Sequence, residues 1–91
     1  MANEKGIKKY PCGKRTVVLD WGDGHPPDFN LWVEDENGKE AWRMNKVVRF
    51  PDAAVLVDVD SDLAFRFTTW NGLRFTIDIN TFEVVGRDIT K

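Results

Sequence analysis

The only histidine of the chain lies in a loop-like stretch that offers it no catalytic partner. His25 belongs to "WGDGHPPD", in which two glycines and two prolines indicate a rigid, irregular connection. A general base needs a positioned partner and a pocket, and no nucleophile motif lies nearby. The stretch therefore predicts a structural or partner-contacting loop, and not a catalytic site.

The single cysteine is also a poor candidate for catalysis. Cys12 lies in "YPCGKRT" beside Lys14 and Arg15, two cations that could lower the pKa of its thiol. No motif around it indicates a catalytic Cys–His pair. The stretch is not a phosphate-binding P-loop either, because Lys8 occupies the position of a required glycine. We therefore predict no catalytic residue and no enzyme. A basic tail up to Arg15 is expected to be a solvated arm, with a weak phosphate contact as the alternative.

Three aspartates in "DVDSD" have the spacing of a calcium-binding loop. Such a loop would next require glycine and then glutamate, where this sequence has Leu63 and Thr69. The aspartates, residues 58, 60 and 62, are more typical of a polar strand end followed by a turn. We predict no metal site and no cofactor.

Length and composition indicate one globular domain over residues 1–91. The chain is 42% hydrophobic and 31% charged, and its lone cysteine excludes an internal disulfide. No run of about 18 apolar residues is present, which predicts no membrane span. The N-terminus lacks the apolar segment of a signal peptide, so a cytoplasmic location is expected.

Charge is distributed unevenly along the chain. Residues 1–16 carry a net charge of +4, whereas residues 17–62 contain eleven acidic and four basic residues. An acidic middle argues against nucleic-acid binding, which requires clustered Lys and Arg. Two interpretations stay open: a solvated acidic surface, or a field that steers the chain toward a protein partner with a basic surface.

Hydrophobic periodicity predicts an all-β fold. Alternating stretches such as "LAFRFTTW", "LRFTIDI" and "FNLWVED" are typical of half-buried strands. We predict seven to eight antiparallel strands in two similar meander or hairpin units that form a small sandwich or barrel-like structure. Residues 1–15 are predicted to be a flexible basic arm, residues 16–50 the first meander and residues 51–91 the second. The stretch from residue 39 to 50 fits a strand better than a helix, and the alternatives remain open.

A weak repeat relates two hairpins. "DFNLWVEDENG" aligns with "DLAFRFTTWNG", 34 residues further along the chain. Alternation predicts a three-residue loop, residues 70–72, that pairs Phe67 with Phe75 and has Gly72 in a left-handed conformation. In the first hairpin a two-residue turn would pair Val33 with Trp42 and place Trp32 opposite Arg43. The repeat is then expected to fall out of phase after the two Asn-Gly dipeptides.

Three of the four tryptophans are candidates for exposed positions. Trp42 is expected on the core face, whereas Trp32 falls on the polar face of its strand, Trp70 at a loop tip and Trp21 at a strand end. Tryptophan is enriched at interface hot spots. Either these rings contact a partner, or other parts of the chain cover them.

The C-terminal stretch "WNGLRFTIDINTFEVVGRDITK", residues 70–91, resembles a pattern in small bacterial all-β proteins. Some of these proteins are immunity-type proteins of polymorphic toxin systems. The phrase "ID..T..VV" within it is also similar to propeller-type repeats, in which glycine commonly stands at the position of Phe82. The resemblance covers about a quarter of the chain and implies a strand–turn–strand unit, with no site residue to carry over.

The function that these observations favour is binding and inhibition of a protein partner, as immunity proteins do. The expected mechanism is occlusion of a basic surface, anchored by Trp32 or Trp70. The acidic residues expected to contribute are Asp23, Asp28, Glu34, Asp35 and Glu36, with Trp21 as a further contact. One alternative is a small-molecule or carbohydrate-binding module that uses surface tryptophans. Another is a phage-encoded inhibitor of a bacterial defence system.

Overall fold

The computed structural model of the protein describes residues 6–59 and 61–89. Within these residues the chain forms eight strands and one short 3₁₀ helix, which confirms the predicted all-β class. The strands are β1 (Ile7–Cys12), β2 (Arg15–Asp20), β3 (Leu31–Glu34), β4 (Glu40–Arg43), β5 (Ala54–Val59), β6 (Ala64–Thr69), β7 (Leu73–Asp78) and β8 (Val84–Ile89). The 3₁₀ helix, Met44–Lys46, follows β4 directly.

Two four-stranded antiparallel meanders make up the fold. The first sheet has the order β1-β2-β3-β4 and the second has the order β5-β6-β7-β8. Each sheet presents one apolar face, and the two apolar faces share a single core. The arrangement is a sandwich and not a closed barrel, since none of the eight strands in the described residues pairs across the two sheets.

Aromatic side chains join the two sheets. Phe65 and Phe67 of β6 are fully buried, and burial of each ring stabilises the fold by about 1.5–3 kcal/mol. Trp42 of the first sheet packs edge-on against Phe65, with ring centroids 5.9 Å apart, and against Phe67 at 6.3 Å. Trp42 thus lies on the core face, as its alternation predicts.

The predicted flexible arm is wrong for residues 7–12. These residues form β1, which pairs with β2 from Ile7 opposite Asp20 to Cys12 opposite Arg15. The hairpin closes at Gly13, whose φ of +63° is the left-handed conformation that glycine adopts without strain. The sequence did not reveal this strand because three of its residues are exposed and lysine and proline interrupt its alternation. Residues 1–5 lie outside the described part of the chain.

The stretch from residue 39 to 50 contains a strand and a 3₁₀ helix in succession. Its first part pairs as β4, and the chain then turns through one 3₁₀ turn that buries Met44 completely. The period-two pattern therefore holds for the first part of the stretch, which is a strand, and the helix-like pattern for the part that follows.

The β6–β7 hairpin agrees with its predicted register. Phe67 lies opposite Phe75, and the loop comprises residues 70–72. The amide of Gly72 donates to the carbonyl oxygen of Thr69 at 3.0 Å, and its φ is +88°. Glycine at this position removes the steric cost of a left-handed residue.

The β3–β4 hairpin has the predicted pairs but a different turn. Val33 lies opposite Trp42, as expected. The loop, however, contains three residues, 36–38, because the amide of Asp35 donates to the carbonyl oxygen of Lys39 at 2.8 Å. A β-bulge after the loop restores the register that a two-residue turn would have given.

The two Asn-Gly loops are therefore equivalent, and the repeat stays in phase through them. Asp35 and Thr69 occupy the same position before each loop. The Oδ1 atom of Asp35 accepts from the amide of Lys39 at 3.0 Å, and the Oγ1 atom of Thr69 accepts from the amide of Leu73 at 3.1 Å. The expected difference between the two turns is therefore wrong. The repeat nevertheless falls out of phase after the loops, as predicted, because the bulge pairs Val33 with Trp42 whereas Phe67 pairs with Phe75.

Candidate functional site

The antiparallel order gathers the loops at two ends of the sandwich. One end holds the β2–β3 loop (residues 21–30), the segment after the 3₁₀ helix (residues 47–53) and the β6–β7 loop (residues 70–72). We call it the Trp70 end. The turns β1–β2, β3–β4, β5–β6 and β7–β8 lie at the opposite end, which we call the Arg15 end.

Backbone hydrogen bonds hold the three segments of the Trp70 end together. The amide of Phe29 donates to the carbonyl oxygen of Asp52, and the amide of Trp70 donates to that of Ala53, each at 2.8 Å. Short bonds to one central segment fix the flanking loops relative to it. The site is thus built on a defined backbone although it consists of loops.

A cleft of about 270 Å³ opens between these segments. Trp70 is 72% exposed, more than any other large hydrophobic residue in the described part of the chain. The cleft is lined by His25, Pro26, Asp28, Pro51, Asp52, Ala53, Trp70 and Asn71. An aromatic ring beside a cleft with both polar and apolar lining residues is typical of binding sites, in which apolar area and a few polar groups act together.

Asp52 is the least expected residue of the cleft. It is only 4% exposed, and its Oδ1 atom accepts from the amide of Ala53 at 2.8 Å. Its Oδ2 atom is the one buried side-chain oxygen or nitrogen within residues 6–59 and 61–89 that has no hydrogen-bond partner. A buried acceptor without a donor costs about 1–3 kcal/mol, so this atom needs an explanation.

Asn30 fixes the wall of the cleft from behind. Its side chain is buried, and Nδ2 donates to the carbonyl oxygens of Asp20 and Ala54 at 2.8 and 2.9 Å. Its Oδ1 atom accepts from the amide of Ala54 at 2.6 Å. One amide side chain therefore connects the end of β2 to the start of β5 and holds the segment that carries Asp52. The alternation of "FNLWVED" predicts a polar-face position for Asn30 and does not indicate this buried role.

The charge of the cleft is acidic. Asp28 and Asp52 supply two carboxylates to its lining. Among the described residues, no lysine or arginine lines the cleft. The arrangement favours a group that carries positive charge and donates hydrogen bonds.

The structure brings together only part of the predicted contact set. Asp28 and Trp70 line the same cleft, and Asp23 is exposed in the β2–β3 loop that forms one side of the Trp70 end. Trp21, at the start of that loop, is half-buried and packs against the core. Trp21 therefore contributes to the core, whereas its position at a strand end was expected to make it a partner contact.

Trp32 and Glu34 lie elsewhere, on the outer face of the first sheet. The Arg43 guanidinium lies 4.6 Å from the Trp32 ring centroid, and the Trp32 Nε1 atom donates to Glu34 at 3.2 Å. Val18, opposite Trp32 in the sheet, is fully buried although it faces outward. Trp32 therefore covers its own sheet, and the predicted contact with Arg43 is confirmed.

Asp35 and Glu36 lie at the Arg15 end and line a second cleft, of about 460 Å³. The backbone amides of Lys39 and Asn37 donate to Asp35 and hold the pKa of its carboxyl below the ordinary value. The Arg15 guanidinium donates to the carbonyl oxygens of residues 79 and 80. Asp35 stabilises a turn and Arg15 connects the two sheets, so these charged groups are already engaged and are less available to bind a ligand.

Cys12 is a buried structural thiol. It is fully buried, and its Sγ atom lies 3.4 Å from the carbonyl oxygen of Ser61. Burial, followed by the charge of Asp62, raises the pKa of the thiol. The expectation that Lys14 and Arg15 could lower this pKa is wrong, because loss of hydration and the charge of Asp62 both raise it.

Within the described residues, no group of three or more His, Cys, Asp or Glu side chains could hold a metal ion. The central aspartate of "DVDSD", Asp60, lies outside those residues. Across the same part of the chain, no helix is long and apolar enough to cross a membrane.

Comparison with protein-family models, curated proteins and solved structures finds no match to this chain. Function has to be inferred from the site itself.

Proposed function

We propose that this chain binds a protein partner with a basic surface and inhibits it by covering that surface, in the manner of immunity proteins. The binding surface is the Trp70 end. The observation that carries the proposal is the exposed Trp70 ring at a cleft that contains two carboxylates. Large aromatic residues dominate the binding energy of protein interfaces, and complementary charge sets specificity and association rate.

Trp70 is the anchor in this proposal, and Trp32 is not. Arg43 lies against the Trp32 ring and also donates from Nη1 to the carbonyl oxygen of Phe29 at 2.9 Å. A partner would have to break these contacts to reach the Trp32 ring. The Trp70 ring is exposed, and its backbone is fixed by the bond to Ala53. The backbone at this position is therefore already ordered before binding, so the cost of ordering is limited to the side chain.

Asp23 and Asp28 supply the charge around the anchor. The two carboxylates are exposed in the β2–β3 loop, on the same end of the sandwich as Trp70. Exposed carboxylates accelerate encounter with a basic partner, and this effect decreases with salt. We propose the bacterial cytoplasm as the location in which the partner is met, with no catalytic step by this chain.

The proposal is tested by affinity capture with two matched variants. Trp70→Ala removes the anchor, whereas Leu63→Ala removes a side chain of similar exposure, 65%, at the Arg15 end. We expect the wild type and Leu63→Ala to capture the same protein and Trp70→Ala to lose it. The captured protein, once purified, should form a one-to-one complex that weakens with salt and should lose its own activity in that complex.

Two results would contradict this proposal. Capture that is equally efficient with Trp70→Ala would place the interface elsewhere. A complex that leaves the activity of the partner unchanged would show binding without inhibition.

A carbohydrate-binding module is the second candidate, and the same cleft favours it. Sugar rings stack on exposed aromatic rings while carboxylates and amides accept and donate hydrogen bonds, and Trp70 adjoins Asp28 and Asn71 here. Titration of the intrinsic tryptophan fluorescence with neutral oligosaccharides distinguishes this candidate. A saturable response that Trp70→Ala abolishes would favour it. A phage-encoded inhibitor of bacterial defence would use the protein-binding mechanism above.

A further inference from the structure

We infer that the cleft at the Trp70 end is a subsite for one cationic side chain of the partner, a lysine ammonium or an arginine guanidinium. The cation lies against the Trp70 ring and donates to Asp28 and Asp52. This inference rests on the proposed function and names the chemical group that the cleft recognises.

The first argument is the unsatisfied acceptor. The Oδ2 atom of Asp52 is buried without a hydrogen-bond donor, whereas Oδ1 and the carbonyl oxygen of the same residue each have one. Natural proteins rarely leave such an atom unpaired. Because the atom is closed to solvent, the Asp52 side chain has to turn toward the cleft before a donor can reach it. Pairing with that donor then removes the cost of the unpaired acceptor, and this gain is part of the binding free energy.

The second argument is the kind of donor that the surroundings select. Asp28 adds a second carboxylate, and the exposed Trp70 ring presents a π face. A cation is attracted by an aromatic face and forms stronger hydrogen bonds with carboxylates than a neutral donor does. A neutral hydroxyl or amide would satisfy Asp52 but would gain less from the other two groups.

The third argument combines the size of the cleft with the lack of a basic residue among the residues that line it. A volume of about 270 Å³ lies just below the range of small-molecule pockets, about 300–1,000 Å³, and suits one long side chain. Arg49 belongs to the 47–53 segment of this end but does not line the cleft, and Arg43, before that segment, already pairs with Glu40 at 2.7 Å and donates to Phe29. Within the described residues, the lining contains no lysine or arginine that would neutralise the two carboxylates.

The experiment uses defined probes and nuclear magnetic resonance of the full chain. The probes are Nα-acetyl-lysine methylamide, the arginine equivalent and, as the uncharged control, Nα-acetyl-norleucine methylamide. We expect saturable shifts of the Trp70 indole N–H and the Ala53 amide with the two cationic probes, with dissociation constants in the millimolar range. The norleucine probe should leave these signals unchanged.

Matched variants assign the effect to the carboxylates. Asp52→Asn and Asp28→Asn should each weaken lysine-probe binding about tenfold, because each removes a charge-assisted hydrogen bond. Glu83→Gln removes one negative charge from the β7–β8 turn at the Arg15 end and should leave binding unchanged. If Asp52→Asn does not fold, Asp28→Asn and Trp70→Ala carry the comparison, since both side chains are exposed.

An equal response to norleucine, or affinity unchanged in Asp28→Asn and Trp70→Ala, would overturn the subsite. If the cationic probes fail while capture of a protein partner still depends on Trp70, the subsite is wrong and the proposed function stands. If lysine binds selectively while no protein is captured, the subsite stands and the proposed function fails.

Discussion

Phe82 is held in a conformation that opposes its own side chain. Its φ of +63° is left-handed, which costs a non-glycine residue about 1–2 kcal/mol. The ring nevertheless stacks on Trp42, with centroids 6.0 Å apart, and the Arg15 guanidinium lies 4.7 Å from its centroid. The backbone therefore favours glycine at this position, whereas the packing favours the phenylalanine.

Replacement by alanine and by glycine separates these two effects. Either change removes the stacked ring, worth about 0.5–1.5 kcal/mol beyond its buried area, and the cation–π contact, worth about 0.5–1 kcal/mol. With part of the ring's hydrophobic burial added, Phe82→Ala should lower the free energy of unfolding by about 2–4 kcal/mol. Phe82→Gly loses the same contacts but removes the strain, so it should be about 1 kcal/mol more stable than Phe82→Ala.

Urea unfolding of the purified variants measures this difference. The control is the same pair of substitutions at Val85, an exposed position of β8 where φ is not positive. There the order should reverse, with alanine more stable than glycine by about 0.5–1 kcal/mol. A Phe82→Gly variant that is no more stable than Phe82→Ala would refute the strain argument.

Three further predictions concern stability and reactivity. Asn30→Ala should lower the free energy of unfolding by about 2–4 kcal/mol in urea titrations, because it removes three hydrogen bonds, to the amide of Ala54 and to two carbonyl oxygens, in a buried site. A change below about 1 kcal/mol would contradict this role. Cys12 should react with iodoacetamide at pH 8 far more slowly in the native than in the unfolded protein, by mass spectrometry, because burial excludes the reagent and raises the pKa of the thiol. The backbone amides of Thr81 and, next, residue 80 lower the pKa of Asp78, so its stabilising effect is present above the ordinary aspartate pKa of about 3.9 and is lost as pH falls through the lowered value. Asp78→Asn should therefore flatten the acid limb of the stability profile, and an unchanged limb would argue against the effect.

The second sheet could be predicted from sequence because local signals agree there. Phe67 and Phe75 alternate with polar residues, and Gly72 fits the only loop length that keeps both rings on one face. In the first sheet the same reasoning gave the pair Val33–Trp42 but missed the bulge. A bulge and a longer loop compensate each other in register, so alternation alone cannot distinguish them from a tight turn.

The candidate site was predictable only in part. Trp70 stands out at a loop tip, but Asp52 follows a proline in a segment without periodicity. Its backbone is held by the amide of Phe29, which is distant in sequence. The acidic run was expected to act as one surface. Consecutive loops of a meander lie at opposite ends, however, so Glu36 is separated from Asp28 although the two residues are only eight positions apart in the sequence.

The equivalence of the two Asn-Gly loops has an evolutionary consequence. Their backbone bonds depend on the glycine and on the oxygen of the preceding side chain, supplied by Asp35 in one loop and Thr69 in the other. The first loop residue, Glu36 or Trp70, serves neither bond. Evolution can therefore replace the side chain at this position by a single substitution, while the hydrogen bonds that form the loop are kept. Because the loops lie at opposite ends, one small domain has two such positions that can diversify independently.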